Sequence, residues 1–140
     1  VTHQKPLIYL AIKYHPDHSN RSLIEQISDT CSCVGFETVC VDRDIELYGG
    51  KSYSASELMQ LSFDKIKKAD YILIDLSEKG VGIGIEAGYA YALGIPIITI
   101  LPVTAHLSTT LAGISNFVYH YQTPDEVSGL LKSILYSEND

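Results

Sequence analysis

The sequence predicts an α/β protein with a flavodoxin-like (Rossmann-like), doubly wound sheet of five mostly parallel strands in the order 2-1-3-4-5. Three observations lead there. Short β-branched runs such as Tyr71–Asp75 are apolar along their length, as strands covered on both faces must be. Segments with helical spacing alternate with these runs. The chain has 140 residues, 46% of them hydrophobic, enough to bury a real core as one domain spanning residues 1–140.

In chain order, Pro6 leads into the first strand, Leu7–Ile12, and alternation places Tyr9 and Lys13 on one side if the strand stays regular. The following stretch, 13–21, is polar and broken at Pro16. It carries Lys13, His15, His18 and Arg21. His15-x-x-His18 with Asp17 has only loose metal-ligand spacing and no third ligand, so no metal is expected. A phosphate or substrate contact and a plain solvated loop are the two readings left. The first helix runs from about Asn20 to Val34, buries Leu23, Ile24, Ile27 and Cys31, and stops at Gly35. Phe36–Val41 is the second strand and includes Cys40. The connection 45–53, with Gly49-Gly50, has the length of a lid or binding loop. Ser54–Glu57 is a capping box that opens the second helix. That helix turns Leu58, Leu61, Ile66 and Met59 inward and ends in Lys65, Lys67 and Lys68.

The central stretch, 70–101, is a βαβ unit with an expected right-handed crossover. Its strand Tyr71–Asp75 leads into a turn where Gly80, Gly82 and Gly84 alternate. A helix follows over Ile85–Leu93, closed by Gly94, and then a strand over Ile95–Leu101. Glu86 then lies in the first helical turn or so, where the backbone dipole favours an ionised carboxylate. Doubly wound sheets place their chemistry at the carboxyl ends of such strands. An ordinary helix-start acid beside glycines kept for close packing is the competing reading. Gly82–Ala87 also fits G-x-G-x-x-G/A. It follows the third strand rather than the first, however, and the next strand ends in Leu101-Pro102 without an acid for a ribose. No nicotinamide or flavin dinucleotide is expected, and no other cofactor.

Beyond the central unit, 102–110 is a polar connection and Leu111–Ile114 a short apolar turn. Phe117–His120 is a fifth strand. Thr123–Glu126 is a second capping box, with Pro124 at the first helical position. The last helix carries the stripe Val127, Leu130, Leu131, Ile134 and Leu135.

Composition narrows the partners. A net charge of −7 without a basic stripe argues against a nucleic-acid polymer. No apolar run approaches the roughly 18 residues of a membrane span. From the polar amino-terminal stretch 1–6 no signal peptide is expected. Three cysteines, Cys31, Cys33 and Cys40, lack metal spacing and suit reduced thiols in the cytoplasm.

The run GIGIEAGYAYALGIPII (82–98), preceded by KKADYILIDLSE (67–78), resembles the nucleoside 2-deoxyribosyltransferase family. That family includes transferases that exchange bases and hydrolases that cleave 2′-deoxynucleoside 5′-monophosphates. Ile8-Tyr9-Leu10 resembles the family's first strand. Leu107-Ser108, with Gly113 and the strand to His120, resembles a segment that sets a serine on a neighbouring subunit's substrate phosphate.

The resemblance implies a small-molecule nucleoside or nucleotide substrate and a homodimer or higher homo-oligomer with shared sites. It implies Glu86 as carboxylate nucleophile, Tyr9 beside it, and Ser108 on phosphate. Gly80, Gly82, Gly84, Lys13, His15 and Arg21 are the further candidates around the substrate. The chemistry fits: N-glycosidic cleavage builds positive charge at C1′, which an ionised carboxylate stabilises or bonds. Tyr9 as a core tyrosine with a satisfied hydroxyl is the alternative.

One departure stands out. Family members carry an aspartate eight residues before the one opening the third strand, and that position here is Ser62. Asp64 is turned about 200° away along the helix. The first loop also lacks a glycine-rich phosphate cradle. The expected function is N-glycosidic bond cleavage or base exchange, and Ser62 favours the alternative, a nucleotide-binding module without turnover. A receiver-like signalling domain would share the sheet order but needs acids at the end of the first strand, where this chain has Ala11-Ile12-Lys13.

Overall fold

The apolar runs become five strands, β1 (Leu7–Ala11), β2 (Glu37–Val39), β3 (Tyr71–Asp75), β4 (Ile97–Pro102) and β5 (Phe117–Tyr121). In the computed structural model, which describes residues 4–138, they form one sheet of order β2-β1-β3-β4-β5. Every pairing is parallel. Val1–His3, the start of the polar lead-in, lie outside the described residues, as do 139–140. The helices are α1 (Arg21–Val34), α2 (Ala55–Lys67), α3 (Val81–Ala92), α4 (Thr109–Ile114) and α5 (Ser128–Glu138).

Strand alternation sorts the core into two layers. Ile8 and Leu10 face α1 and α5, where Ile24, Ile27, Cys31, Leu131 and Ile134 cover them. Tyr9 and Ala11 face the other way, towards Ile66 of α2, Ile83, Ala87 and Ala90 of α3, and Leu111 of α4. All five residues of β3 are buried, which is why Tyr71–Ile74 are apolar, and Asp75 at its end accepts the Tyr121 hydroxyl at 2.7 Å. Gly35 ends α1 at φ 121°, a conformation glycine adopts at little cost. Both capping boxes form, Ser54 with Glu57 and Thr123 with Glu126.

Several boundaries differ from the sequence reading, each for a local reason. The second strand is three residues long, and Cys40 lies just past it. The chain then closes a π-helical turn, Val41–Ile45, and a tight 3₁₀ turn, Leu47–Gly49, instead of running as an open loop. Leu47 and Tyr48 are left-handed, at φ 50° and 51°. Gly49 takes φ 93°, a conformation that favours glycine, and a Cβ there would stand 2.9 Å from His18 Nε2. Leu111–Ile114 belongs to a short helix, because Ser108 caps it by accepting the Leu111 N–H at 3.3 Å. The strand expected from Ile95 begins at Ile97.

The largest correction concerns α3. It starts at Val81 with Gly80 as its N-cap, so Gly82 and Gly84 are helical rather than part of a turn. Two glycines in a helix cost about 1 kcal/mol each, and burying Ile83, Ala87 and Ala90 against the sheet outweighs that. Glu86 consequently sits in the second turn, where the helix dipole has faded.

Candidate functional site

Tyr9 points from the middle of β1 towards the α2–α3 layer and is fully buried. Its hydroxyl donates to Glu86 Oε2 on α3. Burial pushes the Tyr9 hydroxyl well above the ordinary phenol range, and the Glu86 charge pushes it further, so it remains a donor. Burial likewise raises the Glu86 carboxyl to about 7; the Tyr9 hydrogen bond opposes the rise and the Asp42 charge adds to it. It is desolvation and one hydrogen bond, rather than the helix dipole, that set the state of this carboxylate.

The carboxylate opens on a cavity of about 150 Å³. Its walls come from the carboxyl end of β1, from α2 through Leu58, Met59 and Ser62, and from the π-helical turn after β2. Ser62 is buried, as its apolar neighbours on α2 require, and donates its hydroxyl to the Leu58 carbonyl at 2.8 Å. It borders the same cavity as Tyr9. Asp64 accepts from Gln60 Nε2 at 3.3 Å and does not line this cavity.

A second cavity of about 220 Å³ shares Ile12, Tyr14, Gly82 and Glu86 with the first and adds Lys13, Gly80 and Val81. It lies over the amino-terminal turn of α3. A third, of about 180 Å³, shares Gly80 and Ile83 with the second and reaches Gly84, Ser108 and Thr110. The three form one path from the β2 turn, past Glu86, over the start of α3, to the start of α4.

The structure therefore brings Tyr9, Ser62, Gly82 and Glu86 together, with Lys13 and Gly80 next along the path. Gly84 and Ser108 stand at the far end. Two candidates are turned elsewhere. His15 pairs with Glu78, tying the first loop to the segment after β3. Arg21 stacks its guanidinium on the Tyr48 ring at 4.4 Å. No group of three or more potential metal ligands occurs among the described residues.

Two residues escaped the sequence reading. Asp42 and Glu46 both line the Glu86 cavity. They are four apart, Asp42 in the π-helical turn and Glu46 capping its end, and the turn's wider ring brings such positions to one side. Asp44 and Arg43 hold that turn from outside. Asp44 accepts the Cys40 N–H at 2.8 Å, and Arg43 reaches Ser28 Oγ at 2.6 Å and the Thr38 carbonyl at 3.0 Å. In the sequence, Asp42-Arg43-Asp44 looks like a charged loop, and only the π turn tells its inward acid from its outward one. Cys40 also lines the cavity, but burial raises its thiol to about 12, which keeps it protonated.

A family model described as nucleoside 2-deoxyribosyltransferase matches residues 8–127. The chain is similar to the CMP N-glycosidase BcmB of Clostridium botulinum, with 22% identity and a TM-score of 0.63, over 89% of this chain and 97% of that one. It is similar to a 2-deoxyribosyltransferase of Bacillus psychrosaccharolyticus at 16% identity and a TM-score of 0.70, over 89% and 95%. A receiver domain of Methylobacillus flagellatus shares the fold at 12% identity and a TM-score of 0.60, over 96% and 98%. At these identities the structural likenesses bear on the fold alone. No curated protein matches the chain by sequence.

Proposed function

Since the chain belongs to the nucleoside 2-deoxyribosyltransferase family, we propose that it cleaves or exchanges the N-glycosidic bond of a (deoxy)nucleoside or nucleoside 5′-monophosphate, with Glu86 as nucleophile. The observation that carries this reading is the Glu86 carboxylate, held by the Tyr9 hydroxyl at the edge of a cavity. As the C1′–N bond breaks, Glu86 meets the cationic carbon and bonds to it, and water or a second base then displaces the carboxylate. Lys13 beside the start of α3 supports a monophosphate: cation and helix amino terminus together favour an anion there.

Ser108, at the end of the path, suits a phosphate contact across a subunit interface. A homo-oligomer is supported by the outward face of α3, where Val81, Ile85 and Tyr91 are exposed on an otherwise apolar helix. Free thiols at all three cysteines are consistent with a cytoplasmic site. No helix among the described residues is long and apolar enough to cross a membrane.

Incubation with a panel of nucleosides and monophosphates, with and without a second base, tests the reading by chromatography. Free base alone identifies a hydrolase, and a new nucleoside identifies a transferase. Neither product would leave the binding module, which Ser62 in place of an acid favours.

Tyr9→Phe removes the donor that lowers the Glu86 pKa, while Asp42 and Glu46 still face it. A hydrogen bond to a charged group is worth about 1.5–3 kcal/mol, or about one to two pH units. The acid limb of the rate profile, expected near pH 7 in the wild type, should therefore move upward by about that much. An unmoved limb would remove Tyr9 from the mechanism. Ser62→Asp places an acid against the Tyr9 hydroxyl and should raise activity on 2′-deoxy substrates or alter the sugar preference. Kinetics on paired ribo- and deoxyribonucleotides would show it, and unchanged rates and ratios would put the α2 position outside the reaction.

A further inference from the structure

Cleaving an N-glycosidic bond needs more than a nucleophile. The departing base takes the bonding electron pair, and a neutral base leaves readily only if a proton arrives as it goes. The carboxylate that receives C1′ must be ionised, so the proton has to come from elsewhere in the cavity. The α2 wall cannot supply it: Ser62 is no acid, and its own proton is engaged by the Leu58 carbonyl. The Tyr9 proton is committed to Glu86.

The opposite wall offers a carboxyl pair. Asp42, only 6% exposed, and half-buried Glu46 face each other within hydrogen-bonding reach and border the same cavity as Glu86. We propose that the Asp42–Glu46 pair is the general acid that protonates the leaving base, filling from the β2 turn a role for which α2 carries no acid. This rests on the glycosidase reading above. In the step, the C1′–N bond breaks and its electrons go to the base. A carboxyl O–H of the pair gives its proton to a ring nitrogen or carbonyl oxygen of that base, and C1′ bonds to a Glu86 oxygen. When water or a second base attacks C1′, the proton it releases returns to the pair and the Glu86–C1′ bond breaks.

The surroundings fit an acid. Burial pushes the Asp42 carboxyl up, and burial followed by the Asp42 charge does the same for Glu46. Two carboxyls this close resist ionising together and titrate as a pair. The other ionisable groups near them are His18 and His15 of the first loop, Glu86 of α3 and the Cys40 thiol, with His18 and His15 opposing the Asp42 rise.

The test uses leaving groups that need no proton. The 5′-monophosphates of guanine and N7-methylguanine form one pair and those of cytosine and nicotinamide another, each in ribo and deoxyribo form. N7-methylguanine and nicotinamide depart from a cationic ring without an acid. Asp42→Asn and Glu46→Gln should lose about 100- to 10,000-fold on the guanine or cytosine substrate. They should stay within about tenfold of wild type on the quaternised partner, which also proves them folded. Equal losses on both members of a pair, or no loss on either, would overturn the acid role while leaving Glu86 in place. If the wild type cleaved none of these substrates, the glycosidase reading would fall and the acid with it. Glu46 lies nearer solvent than Asp42, so Glu46→Gln keeps the test open should Asp42→Asn fail to fold.

Discussion

Replacing Glu86 with glutamine should abolish turnover, by about 100-fold or more, and at the same time stabilise the fold near neutral pH. Glutamine keeps the shape and can still accept the Tyr9 hydroxyl, so only the charge that meets the cationic carbon is lost. The stability effect follows from linkage. The Glu86 carboxyl is raised from 4.5 to about 7, so the folded chain binds this proton more tightly than the unfolded chain. That contribution is complete below pH 4.5 and is lost as pH rises through 7. Wild type should therefore fall behind Glu86→Gln by on the order of 1–3 kcal/mol at about pH 8, and the difference should close near pH 4.5. Steady-state rates and thermal melts across pH measure both halves. Near-native rates in this variant would sink the nucleophile assignment.

The second large effect tests assembly. Ser108 lies at the far end of the path from Glu86, separated from it by the first turn of α3. If it completes the neighbouring subunit's site, a symmetric dimer makes that sharing reciprocal. Glu86→Ala and Ser108→Ala should each be inactive on a phosphorylated substrate. Refolded together in equal amounts, half the dimers are hybrids in which one site carries both defects and the other neither. Roughly a quarter of wild-type activity should return. If Ser108 serves its own chain, every site keeps a defect and nothing is regained. Size-exclusion chromatography of the mixture would confirm that the copies associate.

The sequence by itself determined the layering and order of this protein. YILI, the run before Asp75, is apolar because both faces of a central parallel strand are covered, and that requirement is visible without coordinates. The two capping boxes and Gly35 marked helix ends because those signals depend only on residues a few positions apart. Ser62 was legible as a departure only through the family resemblance, which implies an aspartate eight residues before Asp70.

What only the tertiary structure decided lies where local preference and packing disagree. Gly82 and Gly84 look like a turn, yet Ile83 and Ala87 bury against the sheet and hold them in a helix. Moving the helix start to Val81 puts Glu86 in the second turn and replaces a dipole argument with a desolvation one. Asp42-Arg43-Asp44 looks like a charged loop; instead, Arg43 and Asp44 pin the π turn Val41–Ile45 from outside and send Asp42 inward. A π turn depends on contacts from α1 and β2 that no window of neighbouring residues contains. For the same reason Arg21, a phosphate candidate by charge, stacks on Tyr48 instead: the stacking partner is 27 residues away in the sequence and 4.4 Å away in the fold.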